Sequence, residues 1–195
     1  MDDQPMMCRK RPLARPLHRG FTAIELMVVL SILAILAALA APSFKPLMDQ
    51  WRVRQAVETL RSTLYYARSE AIRRGGGVVV QKLPNGTNGC TNAINGADWG
   101  CGWTVCVDAD GNNNCGDAGD TELQRYDTPT KVEISRTDGA SSFSLNRWGA
   151  VTGPYVGFNL VPQNESISNP AVRGLCMSSA GRIRVIPMED VPCTD

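Results

Sequence analysis

Histidine is nearly missing from this chain: one occurs in 195 residues, His18, and none follows it. Beyond that point no imidazole can serve as a general base, which removes Ser-His-Asp and Cys-His nucleophile arrangements. Phosphate-binding GxxxxGK[ST] loops, GxGxxG fingerprints and HExxH are also absent. The chain is expected not to be an enzyme and to hold no cofactor. CxxC pairs are lacking too, so with no imidazole available no metal site is expected. Net charge is small: the whole chain is +1, and residues 1–20 contribute +3 from five basic and two acidic residues, leaving −2 for the rest. That excludes a globally basic nucleic-acid binder, and any contact with DNA must come from a local patch. Aromatic residues make up only 6%. Trp99, Trp103 and Trp148 are read as packing side chains of the core or its rim rather than as base-stacking platforms.

What the chain does have is one long apolar run. Phe21 to Ala41 is 21 residues with a single charge, Glu25. As a helix it spans about 31 Å, close to the roughly 30 Å hydrocarbon core of a bilayer. The run is longer than the apolar region of a signal peptide, so it is expected to be retained. Arg9, Lys10, Arg11, Arg15 and Arg19 precede it, which keeps the leader cytoplasmic and sends the C-terminal part outward. A carboxylate in such a segment costs about 2.5–3.5 kcal/mol at the centre of a membrane helix, so Glu25 calls for water or a partner.

After Pro42 and Pro46, apolar residues recur at Val53, Ala56, Val57, Leu60, Leu64, Ala67, Ala71 and Ile72, the spacing of one helical face. Gly75 to Gly77 end that helix, and the two prolines predict a kink near its start. Short β-rich runs follow at 78–82, 101–107, 123–126, 131–135, 142–145, 155–160, 173–177 and 182–186, separated by Gly, Asn, Asp and Pro. An α+β fold is expected, with an antiparallel sheet covering the amphipathic helix.

Six cysteines lie beyond the leader: Cys90, Cys101, Cys106, Cys115, Cys176 and Cys193. An even number facing an oxidising compartment reads as three disulfides, although six cysteines allow 15 pairings. Proximity suggests Cys90 with Cys101, Cys106 with Cys115, and Cys176 with Cys193. The loop Asp108 to Asn114 lacks the glycine and glutamate spacing of a calcium loop and is read as a polar hairpin loop.

Near the C-terminus, Gly181 followed by Arg182, Ile183, Arg184 and Val185 predicts a turn and a strand that projects both arginines to one face, with Ile183 and Val185 facing the core. Two guanidiniums about 7 Å apart suit successive phosphates. Arg173, Arg147, Arg136 and Lys131 are candidates to extend the patch.

The basic leader, Gly20, Phe21-Thr22, Glu25 and the apolar helix together resemble the type III signal of type IV prepilins and type II secretion pseudopilins, and the order of helix, hairpins and the 143–149 segment resembles GspH/FimT-type minor pilins. The resemblance implies a pilin-like fold: a leader at 1–20, a long N-terminal helix at 21–76 with its membrane part at 21–41, and a globular β-rich domain at 77–195. It implies cutting after Gly20 by a prepilin peptidase, methylation of the new amino-terminus at Phe21, and pairing of Glu25 with a neighbouring subunit's Phe21 amine. Other pilins are the implied partners. The implied location is the inner membrane, single-pass with the C-terminal domain in the periplasm, and then the pilus at the cell surface. Gly181, Arg182 and Arg184 resemble the Gly-Arg-x-Arg motif of FimT-type minor pilins, which bind DNA in natural transformation. The alternative is a structural minor pilin or GspH-like pseudopilin that primes or caps a filament without meeting DNA.

Overall fold

The computed structural model describes residues 20–40, 44–127, 129 and 131–194. Two compact units result, Met1–Pro42 and Ser43–Asp195.

In the first unit, helix α1 runs from Ala23 to Ala40 with Glu25 as its one charge. Thr22 caps it: the Glu25 backbone N–H donates to Thr22 Oγ1 at 3.2 Å, and Leu26 N–H donates to the Thr22 carbonyl. Thr22-x-x-Glu25 is thus a capping-box sequence, which sets where the helix begins. At 18 residues α1 is about 27 Å long, and no helix among the described residues is long and apolar enough to cross a membrane. The apolar side chains of α1 are nevertheless exposed, Ile24, Leu26, Met27, Leu30, Leu33 and Leu36 among them. Such a surface far exceeds what a free water-soluble helix presents.

The second unit is built on helix α2, Phe44–Arg74. Of the helix expected over 21–76 the described residues hold α1 and α2, with 41–43 between them outside the described residues, and the division into compact units falls after Pro42, so that α2 belongs with the strands. The reason is packing, because α2 supplies one wall of the globular core. Pro46 sits in its first turn, where a missing N–H has no partner to lose, so it does not break the helix. Pro42 lies outside the described residues. Gly76 N–H donates to the Ala71 carbonyl at 2.8 Å to close the far end.

Eight strands follow: β1 Val78–Lys82, β2 Trp103–Val107, β3 Thr121–Tyr126, β4 Val132–Arg136, β5 Ser142–Leu145, β6 Val156–Pro162, β7 Arg173–Met177 and β8 Ile183–Pro187. Every expected strand is present, with ends moved by one or two residues. They form two four-stranded antiparallel sheets, ordered β3-β2-β1-β5 and β4-β6-β7-β8, rather than one. The split arises because β5 returns to pair with β1, Val80 opposite Phe143, while β4 pairs with β6. Helix α2 packs on both sheets.

Val53, Ala56, Val57, Leu60, Leu64, Ala67 and Ala71 of α2 are buried as the spacing predicts. Ile72 is the exception, 53% exposed at the end of the face. Trp99 and Trp103 are buried as expected; Trp148 is 75% exposed, which corrects its assignment to the core or rim. The apolar pattern does not mark Thr63, yet it is fully buried on the same helix face. Its Oγ1 accepts the Trp103 indole N–H at 3.0 Å and donates to the Thr59 carbonyl. Thr63→Val should orphan that buried indole N–H and lower stability by about 1–3 kcal/mol. Chemical denaturation of the variant checks this, and an unchanged midpoint would contradict it.

The three disulfides pair as proximity suggests: Cys90–Cys101, Cys106–Cys115 and Cys176–Cys193. β2 begins at Trp103, so Cys101 lies in the turn ahead of the strand rather than in it. In the 108–120 loop the carboxylates of Asp108, Asp110 and Asp120 come within 4.8 Å of one another. They accept the loop's own N–H groups, Gly111 and Asn113 donating to Asp108 and Ala109 to Asp120, so a polar loop stapled by Cys106–Cys115 accounts for them.

Candidate functional site

The β7–β8 connection is a tight turn. Gly181 N–H donates to the Ser178 carbonyl at 2.8 Å, Ser178 N–H to the Arg182 carbonyl at 2.9 Å, and Arg182 N–H to Ser178 Oγ at 3.1 Å. Gly181 has φ +85°, a left-handed conformation that glycine adopts without strain. Space dictates glycine as well: a Cβ here would lie 2.6 Å from the Gly149 carbonyl oxygen and 3.1 Å from Arg68 Cζ. Arg68, reaching up from α2, donates through Nη1 to the Gly181 carbonyl at 2.6 Å. The helix therefore clamps the turn that presents the arginines. The helical pattern assigns Arg68 only to the polar side of α2; nothing in local spacing marks its partner 113 residues away.

From this turn β8 leaves as the edge strand of its sheet. Arg184 lies in this strand and Arg182 immediately precedes it; two residues apart, both are exposed and project to the same outer side. Ile183 packs on the core as expected. Val185, on the same side, stays 39% exposed because it is on an edge strand, which corrects its assignment to the core. Arg184 pairs in register with Cys176, whose disulfide holds Cys193, and Arg184 Nη2 donates to the Thr194 carbonyl at 3.0 Å. The C-terminal tail folds back over the sheet's outer face. It fits because Gly157 has no side chain, and a Cβ there would come within 2.8 Å of Cys193 Cβ.

Arg182, Arg184, Tyr155, Ser178 and Thr194 border an open cavity of about 280 Å³. No ion pair among the described residues involves Arg147, Arg182 or Arg184. Asp190 lines a smaller cavity with Arg184 and Thr194 without forming an ion pair to the guanidinium.

The other candidate cations fare differently. Arg136 is buried, paired with Asp138 at 2.7 Å and 5.2 Å from the Phe143 ring centroid; burial pulls its pKa down against the opposing pull of Asp138. It is a core residue, not part of the patch. Lys131 precedes β4, at the far edge of the sheet from β8. Arg173 begins β7, opposite Pro187 at the other end of the hairpin, and donates to the Pro170 and Val172 carbonyls. Arg147 adjoins the motif, since its neighbouring turn packs on Gly181. At the end of α2, Arg73 and Arg74 hold the Glu70 carboxyl down at about 2, so that anion offsets part of their charge at neutral pH.

In the first unit, Gly20 has open space around it and Phe21 is 83% exposed, both in non-helical backbone ahead of α1. Glu25 is exposed in the first helical turn, where a negative charge complements the helix dipole.

An exposed apolar helix opened by Gly20-Phe21-Thr22-x-x-Glu25, with a globular unit in which antiparallel sheets pack on a helix, defines the class of type IV pilin-like subunits. The model of the prokaryotic N-terminal methylation motif matches residues 15–41, and that of the type II transport protein GspH matches residues 56–185. The chain belongs to the GspH family. A fimbrial protein of Pseudomonas aeruginosa is 31% identical over 136 residues, 69% of this chain and 77% of the relative. The pilin-like protein PilA1 of Thermus thermophilus is 39% identical over 72 residues, 37% of this chain and 45% of that protein. The crystal structure of the type IV minor pilin FimU of Pseudomonas aeruginosa matches the fold with a TM-score of 0.56 at 22% identity, covering 73% of this chain and 93% of that one.

Proposed function

We propose that this chain is a minor type IV pilin with no enzymatic step: it is inserted in the inner membrane with its globular unit in the periplasm, cut after Gly20 by a prepilin peptidase, methylated at Phe21, assembled with other pilins into a surface pilus, and binds DNA without sequence preference through Arg182 and Arg184. The carrying observation is the clamped turn, in which Gly181 is held between Gly149 and Arg68 so that two arginines without ion-pair partners stand on one outer strand face. Assembly is supported by the exposed apolar surface of α1, and by Phe44, Leu47, Met48 and Trp51, which form a second exposed apolar stripe at helical spacing in the first turns of α2. In the assembled state Glu25 would neutralise a neighbouring subunit's Phe21 amine.

Binding through two guanidiniums is electrostatic and weak per subunit, at or beyond the 10⁻⁴ to 10⁻⁶ M range of non-specific contacts, with avidity along the filament adding to it. The test is a salt titration of duplex DNA binding by the full chain in neutral detergent micelles. Replacing both arginines, Arg182→Gln with Arg184→Gln, should lower the log–log salt slope by about 2, one for each phosphate left without its cation. An unchanged slope and affinity would reject the arginine site and favour the structural pseudopilin reading.

A further inference from the structure

The arginine turn meets a second turn, Asn146 to Ala150, which follows β5. Gly149 N–H donates to the Asn146 carbonyl at 2.8 Å, and Asn146 Oδ1 accepts the N–H groups of Trp148 and Ala150 at 2.9 and 3.1 Å. This turn is fixed by its own hydrogen bonds and docked on the first: Val151 N–H donates to the Ser179 carbonyl, and the Gly149 carbonyl lies against Gly181. Arg68 runs beneath both glycines, since a Cβ on Gly149 would meet its Cγ at 2.5 Å. At the tip stands Trp148, largely exposed, with Arg147 beside it and Arg182 across the junction.

Trp51, on the exposed stripe of α2, is 58% exposed as well, but the two indoles that lie among the strands are placed quite differently. Trp99 and Trp103 are buried, and they donate their N–H groups to the Ala140 carbonyl and Thr63 Oγ1. They also lie against Phe158 and Tyr126 at 5.0 and 5.7 Å between ring centroids. Among the described residues no aromatic ring and no hydrogen bond engages the Trp148 indole. A large apolar ring held out in water on a hydrogen-bonded turn, next in the chain to Arg147 and docked on the turn that carries Arg182, is a flat surface suited to a partner with a π-face.

We infer that Trp148 stacks an unpaired nucleobase, so that Trp148, Arg147, Arg182 and Arg184 form a site for single-stranded nucleic acid; this rests on the reading that the arginine pair binds DNA. The physical reason for strandedness is simple. Within a duplex each base is already covered by its neighbours, whereas a single strand can turn a base onto the indole while its phosphates run along the guanidiniums. Stacking makes no demand on base identity, which agrees with binding that ignores sequence.

The experiment compares three probes on the full chain in neutral detergent micelles: short oligothymidylate, a duplex of matched phosphate count, and an abasic strand of the same length. Trp148→Ala should weaken oligothymidylate binding roughly 5- to 100-fold while leaving the duplex and the abasic strand unaffected. Trp148→Tyr should restore most of the loss. Equal oligothymidylate binding by wild type and Trp148→Ala overturns the platform, and so does an equal loss on all three probes. If wild type binds the duplex and only the platform prediction fails, the arginine reading stands. Should wild type bind none of the probes, that reading falls as well.

Discussion

Opening the Cys176–Cys193 bridge, by changing both residues to serine, is expected to lower the stability of the globular unit by about 3 kcal/mol. The bond closes a loop of sequence separation 17, and the released chain gains the corresponding freedom when unfolded. More than stability is at stake. The tail that lies on Gly157 carries Thr194, whose carbonyl holds the Arg184 guanidinium, so its release should also weaken the DNA binding proposed for the arginine pair. A matched pair of serines at Cys106 and Cys115 provides the control, because that bridge staples the 108–120 loop on the other sheet. Loss of stability is expected from both variants, and loss of binding only from the first. Urea unfolding with the midpoint and slope fitted separately reads the stability change. A midpoint unmoved by opening Cys176–Cys193 would show that the tail contributes nothing to the fold.

Gly181→Ala is the second large effect. The left-handed backbone alone costs an L-residue about 1–2 kcal/mol. Here the new methyl would also press on the Gly149 carbonyl at 2.6 Å, a backbone atom in a hydrogen-bonded turn that cannot swing aside. The total should exceed about 2 kcal/mol, and relief of the clash would shift the turn and Arg182 with it. Gly139→Ala isolates the two causes, since Gly139 has a similar φ of +77° and a Cβ there would have nothing within 4 Å. Thermal unfolding of both variants should show the larger loss at Gly181, together with weaker DNA binding there. Equal losses would mean that the contact between the two turns carries no energy.

Much of the chain was legible because its signals are local. The apolar spacing of α2 identified seven of the buried side chains by name, and it failed at Ile72 only because the helix face runs out past Ala71. Strand positions followed from β-rich runs between turn residues, and each disulfide joins cysteines that neighbour one another in sequence. The capping role of Thr22 came only with the structure, in which its Oγ1 accepts the Glu25 N–H. The partition into two sheets was not legible, because it depends on β5 choosing β1 as its partner. Nor was Arg136 legible as a core residue: a guanidinium in a strand-like segment reads as solvated until Asp138, Trp99 and Phe143 are seen around it.

By itself the sequence determined the processing signal, the apolar helix, the amphipathic face of α2, the three bridges and the pair of arginines on one strand face. All of these arise from residues within a few turns or one loop of each other. Tertiary structure alone decided that Gly149 and Gly181 touch, that Arg68 clamps them, and that Trp148 is left in water beside the arginines instead of joining the core. Those relations depend on where distant turns come to rest, and the close approach of two glycine backbones is governed by the packing of both sheets on α2 rather than by any local preference.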